Sequence, residues 1–173
     1  MSIHIIIDGY NLIRQSSSLS VLDHQDMQLG REGLIDLLAK YKKVKHHKIT
    51  VVFDGTNAAS FSGHRDYING IEIKFSRFGE LADSVIKKIA AGEKEKALVV
   101  SSDRDVADSA SLSGAAVIGS VEFEQKLEMA AYSDGLDVDG NDEVGWVPTT
   151  KKKGPSRKLP KKKRRSLAKI KKL

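Results

Sequence analysis

The chain of 173 residues is long enough for one domain with a real core plus an appendage, and it is short for two full domains. The absence of cysteine excludes disulfides, thiolate zinc sites and cysteine nucleophiles. Neither a signal-peptide pattern nor an apolar run of about eighteen residues occurs, so we expect a cytoplasmic protein without a membrane partner.

The formal net charge of +6 divides unevenly along the chain. Thirteen of the 29 basic residues and none of the 23 acids follow residue 150, so the first 150 residues carry 16 basic residues against 23 acids. The cationic tail either folds back on the acidic body or binds a polyanion by displacing its counterions. So dense a run of cations favours the second interpretation, with nucleic acid as the partner.

Strand-like and helix-like segments alternate over the first 132 residues. Short runs rich in branched residues predict strands at 3–7, 49–53, 70–75, 97–101 and 115–119. Apolar residues spaced along one helical face predict helices around Leu34–Tyr41, Ala82–Ile89 and Phe123–Ala130. Continuous apolar strands separated by helices predict an α/β fold, a three-layer α/β/α sandwich with a mostly parallel central sheet of about five strands.

The chain changes character after this first domain, at residues 1–132. Residues 133–150 are acidic and rich in glycine, and we predict a linker; a run from Asp137 resembles an EF-hand loop but lacks its glycine and its final glutamate. Residues 151–173 form a basic C-terminal tail that we expect to be disordered until bound. Within it, Leu167, Ile170 and Leu173 would allow a basic amphipathic helix on a partner.

Four aspartates stand where a predicted strand ends or a helix begins: Asp8, Asp54, Asp83 and Asp103. The carboxyl ends of parallel strands share one edge of the sheet, so we expect these side chains to converge. Clustered carboxylates repel one another unless a divalent cation compensates them, and such oxygen ligands suit Mg²⁺ or Mn²⁺. The pattern predicts metal-assisted chemistry on a phosphate ester.

Asp8 and Asp54 each close an apolar run. A charge after three isoleucines is costly unless it has a use, although aspartate is also a favoured helix N-cap. After Asp8, Gly9 permits a tight turn, and Asn11 could offer its amide to a phosphate or to Asp8. The run ending in Asp54 resembles that of haloacid-dehalogenase-type phosphatases, but Val52 replaces their nucleophile, so Asp54 is either a metal ligand or a supporting turn residue.

Asp83 and Asp103 lie at predicted helix starts. The helix dipole and an i, i+4 pair with Lys87 would explain Asp83 without any function. Ser102 and Asp105 match a capping box, which gives Asp105 a structural role and makes Asp103 the better ligand. The serines that precede Asp103 are expected to orient its carboxylate.

The ordered motifs DGYNL, VFDGT, ELADSVI and VVSSDRDVAD resemble those of YacP-type NYN domains, a branch of the PIN-like nuclease superfamily. The resemblance covers about residues 1–132 and leaves out the tail. It implies a PIN-like sandwich and Mg²⁺- or Mn²⁺-dependent endoribonuclease activity, sometimes in association with ribosomes. It assigns the metal to Asp8, Asp83 and Asp103, supporting roles to Asp54 and Asp105, and the polar position of the first motif to Asn11.

These features together predict an endoribonuclease that hydrolyses RNA phosphodiesters, free or on the ribosome, without a small-molecule cofactor. Cations would draw RNA toward the acidic site, and eight are candidates: Arg14, Arg77, Lys87, Lys161, Lys162, Lys163, Arg164 and Arg165. Two alternatives stay open. One is a PIN-like adaptor that binds RNA or ribosomes without catalysis, and the other is a nuclease that acts on DNA.

Overall fold

The computed structural model describes residues 3–55, 63–134 and 160–173. Strands and helices alternate over these ranges: β1 (His4–Asp8), α1 (Gly9–Gln15), α2 (Ser17–Gln25), α3 (Met27–Val44), β2 (Lys48–Phe53), β3 (Arg65–Ile68), β4 (Ile71–Phe75), α4 (Ala82–Glu93), β5 (Ala97–Val100), α5 (Arg104–Leu112), β6 (Ala116–Ile118), α6 (Ser120–Asp134) and α7 (Lys161–Ile170). A 3₁₀ turn at Lys94–Lys96 joins α4 to β5.

The strands form one sheet in the order β3-β4-β2-β1-β5-β6. Only β3 is antiparallel among the described pairings; the other strands run parallel. Ile7 of β1 is aligned with Val51 on one side and with Val100 on the other. After β1 the sheet grows first toward β4 and then toward β6, so the boundary between β1 and β5 is a topological switch point, where α/β proteins bind ligands at the carboxyl ends.

Two apolar cores cover the two faces of the sheet. Ile5 and Ile7 of β1 belong to the core that includes residues of α1, α2, α3 and α6, whereas Ile6 belongs to the core that includes residues of α4 and α5. All three isoleucines are fully buried, and each contributes about 1.5–3 kcal/mol to folding. The predicted three-layer sandwich with a mostly parallel sheet is therefore confirmed.

Three elements were not predicted from the sequence. Strand β3 is exposed throughout and carries charged residues, so it lacks the apolar run by which the other strands were recognised. Helices α1 and α2 are short, and α2 buries only Leu19. The sheet has six strands rather than about five because β3 pairs along its edge.

A line of polar side chains crosses the sheet on the side of α4. Nε2 of His4 lies 2.8 Å from Oγ1 of Thr50, which donates a hydrogen bond of 2.8 Å to Oε2 of Glu72. The line is closed at one end by Arg65, 2.5 Å from Glu72, and at the other by Glu93, 3.2 Å from His4. His4 is buried inside this network.

The part of the tail that the structure describes folds back onto the body. Leu173 is buried and Ile170 packs against the larger core, while Arg165 forms an ion pair of 2.5 Å with Glu95. In the structure, Lys161–Ile170 form a helix, and the expectation of a tail that is disordered until bound stays a prediction. The fold-back interpretation, which the sequence made the weaker one, describes this segment.

Helix α7 lies across the amino ends of the strands. Its Lys162 donates to the carbonyl of Ser111, which precedes β6, and the carbonyl of Lys172 lies 3.4 Å from Nε2 of His47, which precedes β2. Between these two ends, α7 meets the 3₁₀ turn before β5 through the ion pair described above. The basic helix thus lies at the opposite edge of the sheet from the aspartates.

The first domain predicted from the sequence ends at residue 132, which lies inside α6. That helix continues to Asp134, two residues into the predicted linker. The rest of the linker, its EF-hand-like run and residues 151–159 lie outside the described residues. Among the described helices, none is both long and apolar enough to span a lipid bilayer.

Candidate active site

The predicted aspartates lie at the carboxyl edge of the sheet. Asp8 is the last residue of β1, Asp54 follows β2 directly, and Asp103 lies three residues after β5. These three strands are neighbours, with β1 in the middle. Asp83 reaches the same edge as the second residue of α4. The structure therefore brings the four aspartates to the topological switch point.

Asp8 is held by hydrogen bonds from two other parts of the edge. It is the N-cap of α1, and its Oδ1 accepts a bond of 3.2 Å from the backbone N–H of Asn11. Its Oδ2 accepts a bond of 3.4 Å from the hydroxyl of Ser101, and that hydroxyl accepts in turn from the backbone N–H of Asp103 over 3.1 Å. The capping role and a functional role for Asp8 are thus compatible.

The electrostatic environment of Asp8 favours its neutral form. The side chain is only 8 % exposed, and this burial raises its pKa to about 6. The hydrogen bonds from Asn11 and Ser101 oppose the shift, whereas repulsion by the charges of Asp83 and Asp103 adds to it. The negative charges of the other two predicted ligands, Asp83 and Asp103, therefore both act on the pKa of Asp8.

The glycine after Asp8 is required by close packing. A Cβ atom at Gly9 would overlap the buried ring of Phe53. That ring is stacked on Phe75 at 5.6 Å between centroids and meets Tyr10 edge to face at 5.1 Å. The aromatic cluster thus fixes where β1 turns into α1, and with it the position of the Asp8 carboxylate.

Asp103 is the N-cap of α5. Its Oδ1 accepts from the backbone N–H groups of Asp105, at 2.8 Å, and of Val106, at 3.3 Å. The predicted capping box is wrong, because the cap is Asp103 and not Ser102. The hydroxyl of Ser102 accepts from the backbone N–H of Ser120 instead, so this serine does not orient the carboxylate.

Asn11 joins three segments through its side-chain oxygen. Oδ1 accepts from the hydroxyl of Ser120 over 2.7 Å, from the backbone N–H of Ser102 over 3.0 Å and from Gln15 over 3.2 Å. The backbone N–H of Asn11, not its amide group as expected, binds Asp8. Asn11 is therefore a positioning residue, and Ser120 is a partner that sequence reasoning missed.

Asp83 is half-buried, and its carboxylate is the second one at this edge whose pKa is raised. Its pKa is raised by burial and by repulsion from three neighbours, Asp103, Asp105 and Asp54, while the charge of Lys87 opposes the shift. The predicted i, i+4 pair between Asp83 and Lys87 is wrong, because Nζ of Lys87 binds the carboxylate of Asp105. That bond raises the pKa of Lys87.

Asp54 lies next to Ser76, which follows the neighbouring strand β4. The hydroxyl of Ser76 lies 3.5 Å from Oδ1 of Asp54 and accepts a bond of 3.0 Å from the backbone N–H of Gly55. Ser76 is buried at the end of β4. It ties the loop after β2 to the neighbouring strand, a contact that the sequence did not indicate.

The donor set fits a hard cation by its chemistry, although the side chains are not assembled around one point. No group of three or more His, Asp or Glu side chains within the described ranges is close enough to hold an ion. One carboxylate oxygen of Asp8 and one of Asp103 each accept hydrogen bonds from backbone N–H groups at a helix N-terminus. Nevertheless, Asp8 and Asp83 are carboxylates with raised pKa values and mutual repulsion, which is the condition that a divalent cation relieves.

The predicted RNA-binding cations divide between the two edges. Arg77 is exposed in the loop before α4, beside Phe78, which is 78 % exposed. Arg14 lies over the ring of Tyr10, 5.7 Å from its centroid. The five tail cations lie on α7: Lys161, Lys163 and Arg164 are exposed, whereas Lys162 and Arg165 also bind the body.

The chain matches the family model of the YacP-like NYN domain over residues 5–172. The match includes the basic tail, so the expectation that the resemblance stops near residue 132 is wrong. Among curated proteins, the uncharacterized protein YacP of Bacillus subtilis is 29% identical over 90 residues. That alignment covers 50% of this chain and 50% of the relative, so this chain matches about half of the relative's length.

Solved structures with the same fold include two of Rae1 (YacP) from Bacillus subtilis. One is 25% identical, with a TM-score of 0.63 and coverage of 78% of each chain. The other, a tryptophan-to-leucine mutant of that protein, is 24% identical, with a TM-score of 0.64 and coverage of 77% of this chain and 79% of its own.

Proposed function

Because the chain belongs to the YacP-like NYN domain family, a branch of the PIN-like nucleases, we propose that it is a metal-dependent endoribonuclease that hydrolyses RNA phosphodiesters. The observation that carries this proposal is the electrostatic coupling of Asp8, Asp83 and Asp103 at the topological switch point. Free RNA, or messenger RNA on a ribosome, is the proposed partner.

Asp8, Asp83 and Asp103 are the residues that would hold Mg²⁺ or Mn²⁺. Such an ion would supply an activated water and compensate the negative charge that develops on the phosphate. Ser101 keeps Asp8 and the start of α5 in register, and Asn11 fixes the segments around them. Arg77 and Lys87 supply positive charge at an edge that would otherwise repel RNA.

An RNA cleavage assay tests the proposal. The wild type should cut single-stranded RNA with Mn²⁺ or Mg²⁺ and lose the activity with a chelator, and Asp8→Asn, Asp83→Asn and Asp103→Asn should each lower kcat/KM by at least about a hundredfold. Asp36→Asn, which removes an exposed carboxylate from α3, is the matched control and should retain activity. Full activity in folded Asp8→Asn would exclude the assignment.

Metal binding gives a readout that does not depend on activity. Mn²⁺ should raise the melting temperature of the wild type and of Asp36→Asn, because a ligand of the folded state stabilises it. The Asp8→Asn and Asp103→Asn proteins should show a much smaller rise. An equal rise in all four proteins would place the ion elsewhere.

A second candidate function is an adaptor that binds RNA or ribosomes without cutting RNA. It is favoured by the absence, within the described residues, of a carboxylate group already assembled to hold an ion. The two candidates differ in one experiment: an adaptor would bind RNA or sediment with ribosomes and leave the RNA intact at every concentration of Mn²⁺.

A further inference from the structure

A second charged surface lies at the amino ends of the strands, at the opposite edge from the aspartates. A cleft of about 580 Å³ opens there between α7 and the strand starts. Four lysines from three separate segments line it: Lys48, Lys96, Lys169 and Lys172. We use the term lysine cleft for the site that they form. Strand β1 is five residues long, from His4 to Asp8, so its first and last residues lie about 13 Å apart along the strand.

The acids of the lysine cleft leave these charges uncompensated. Glu95 pairs with Arg165, and Glu93 lies 3.2 Å from the buried His4. Within the described ranges, none of the four lysines takes part in an ion pair. Burial lowers the pKa of Lys169, the charge of Glu95 opposes this shift, and the charge of Arg165 adds to it. With five basic side chains and two acidic ones in its lining, the cleft attracts an anion.

We infer that the lysine cleft binds the phosphate backbone of a base-paired RNA, distinct from the strand that is cut at the acidic edge. Lysines that neutralise phosphates release counterions and contact the backbone without reading sequence. Among the residues that the structure describes, the lining of the cleft includes no aromatic side chain, whereas single-stranded RNA is usually held by stacking on aromatic rings. The exposed Phe78 lies at the other edge.

This surface gives the protein two contacts with RNA that face away from each other. A paired RNA held at the amino ends would position the molecule, and an unpaired strand would reach the aspartates at the carboxyl ends. The inference builds on the proposed RNA-directed function, but its test is independent of cleavage because binding is measured in an Asp8→Asn background.

The test compares two double substitutions that remove the same charge from the full chain. Lys48→Gln/Lys172→Gln alters the lysine cleft, and Lys40→Gln/Lys126→Gln alters α3 and α6, neither of which lines it. Binding of a fully paired RNA hairpin is followed by fluorescence anisotropy over a range of KCl concentrations. We expect the cleft variant to bind more weakly and its slope of log K against log salt to fall by about 2, since each phosphate contact contributes about 0.9.

The control variant should keep the wild-type slope, and Lys172→Gln alone should lose about one unit of it. In the background with Asp8 intact, the cleft variant should cleave a short single-stranded RNA within about twofold of the wild-type kcat/KM. A wild-type slope in the folded cleft variant would overturn the inference, and so would a parallel loss of cleavage.

Two further outcomes distinguish this inference from binding of an acidic protein and from the proposed cleavage activity. If poly-glutamate binds the wild type as tightly as the hairpin does at equal salt, the partner is an acidic protein and the inference is wrong. If the wild type cuts no RNA but the slopes differ as expected, the proposed activity fails while the lysine cleft stands as a site for paired RNA.

Discussion

The hydroxyl of Ser101 donates to Oδ2 of Asp8 over 3.4 Å, although 93 positions separate the two residues in the sequence. The bond crosses the topological switch point from the end of β5 to the end of β1. Because the same hydroxyl accepts from the backbone of Asp103, one buried serine sets the spacing of two proposed metal ligands. Such second contacts around a metal site are frequently as important as the ligands.

Replacing Ser101 by alanine should weaken the site more than the fold. We expect a loss of about 1 kcal/mol in the free energy of unfolding and about a tenfold loss of Mn²⁺ affinity. The pKa of Asp8 should rise further, since a hydrogen bond that opposes the rise is lost. Ser113→Ala, which removes a hydroxyl bonded to a helix carbonyl, is the control and should leave Mn²⁺ affinity unchanged.

The Asp8→Asn protein should be more stable than the wild type when no metal is present. The folded-state pKa of about 6 exceeds the ordinary value of 3.8, so the folded wild type holds a proton that the unfolded chain releases. Its stability therefore falls as the pH rises from about 4 to 6, by at most about 3 kcal/mol. Denaturant unfolding at pH 4 and pH 8 measures this: the gain from Asp8→Asn should be near its maximum at pH 8 and small at pH 4.

Excess Mn²⁺ should reverse that order at pH 8. The ion stabilises the ionised carboxylates of the wild type and gains little from the amide of the variant. A variant that is less stable than the wild type at pH 8 without metal would contradict the account of Asp8 as a desolvated charge.

Removing the side chain of Asn11 should loosen the connection between α1, the start of α5 and the start of α6. Asn11→Ala deletes the acceptor for Ser102 and for the fully buried hydroxyl of Ser120, so we expect a loss of about 1–3 kcal/mol in the free energy of unfolding. Gln15→Ala removes only the exposed partner and should change it by less than about 0.5 kcal/mol. Equal effects of the two substitutions would show that Asn11 does not join these segments.

Two glycine-to-alanine substitutions should have opposite signs. Gly9→Ala places a methyl group against the ring of Phe53 and should cost about 1–3 kcal/mol, with lower kcat/KM because the end of β1 shifts. Gly92→Ala lies in α4 with no atom within 4 Å of the new methyl group, and it should stabilise the protein by about 0.5–1 kcal/mol. Thermal unfolding of both variants checks the pair, and a neutral Gly9→Ala would show that the aromatic cluster can move.

The sequence predicts well those strands and helices that are marked by a local pattern of apolar residues. Ile5, Ile6 and Ile7 identify β1 and its burial on both faces, and the aspartate after them marks the carboxyl end of the strand. The exposed strand β3 has no such pattern, because its place is set by pairing with β4 and by the ion pair from Arg65 to Glu72. The strand depends on this pairing with β4, which begins after two intervening residues, and not on an apolar run of its own.

The sequence predicts side-chain partners less well. Ser102 has the spacing of a capping residue, yet Asp103 caps α5 and leaves Ser102 to bind the backbone of Ser120. Lys87 has the spacing to pair with Asp83, yet it binds Asp105 across the gap between α4 and α5. Each local rule fails where a partner from another element offers a bond of at least equal quality.

The polar line from His4 through Thr50 to Glu72 makes misaligned versions of the sheet unfavourable. If β2 slipped by one residue against β1, Thr50 would turn to the opposite face and leave His4 and Glu72 buried without their partner. Apolar strands alone would tolerate such a slip far better, since one branched side chain replaces another. The same slip would move Asp54 away from Asp8, so the network protects the arrangement of the aspartates from errors made during folding.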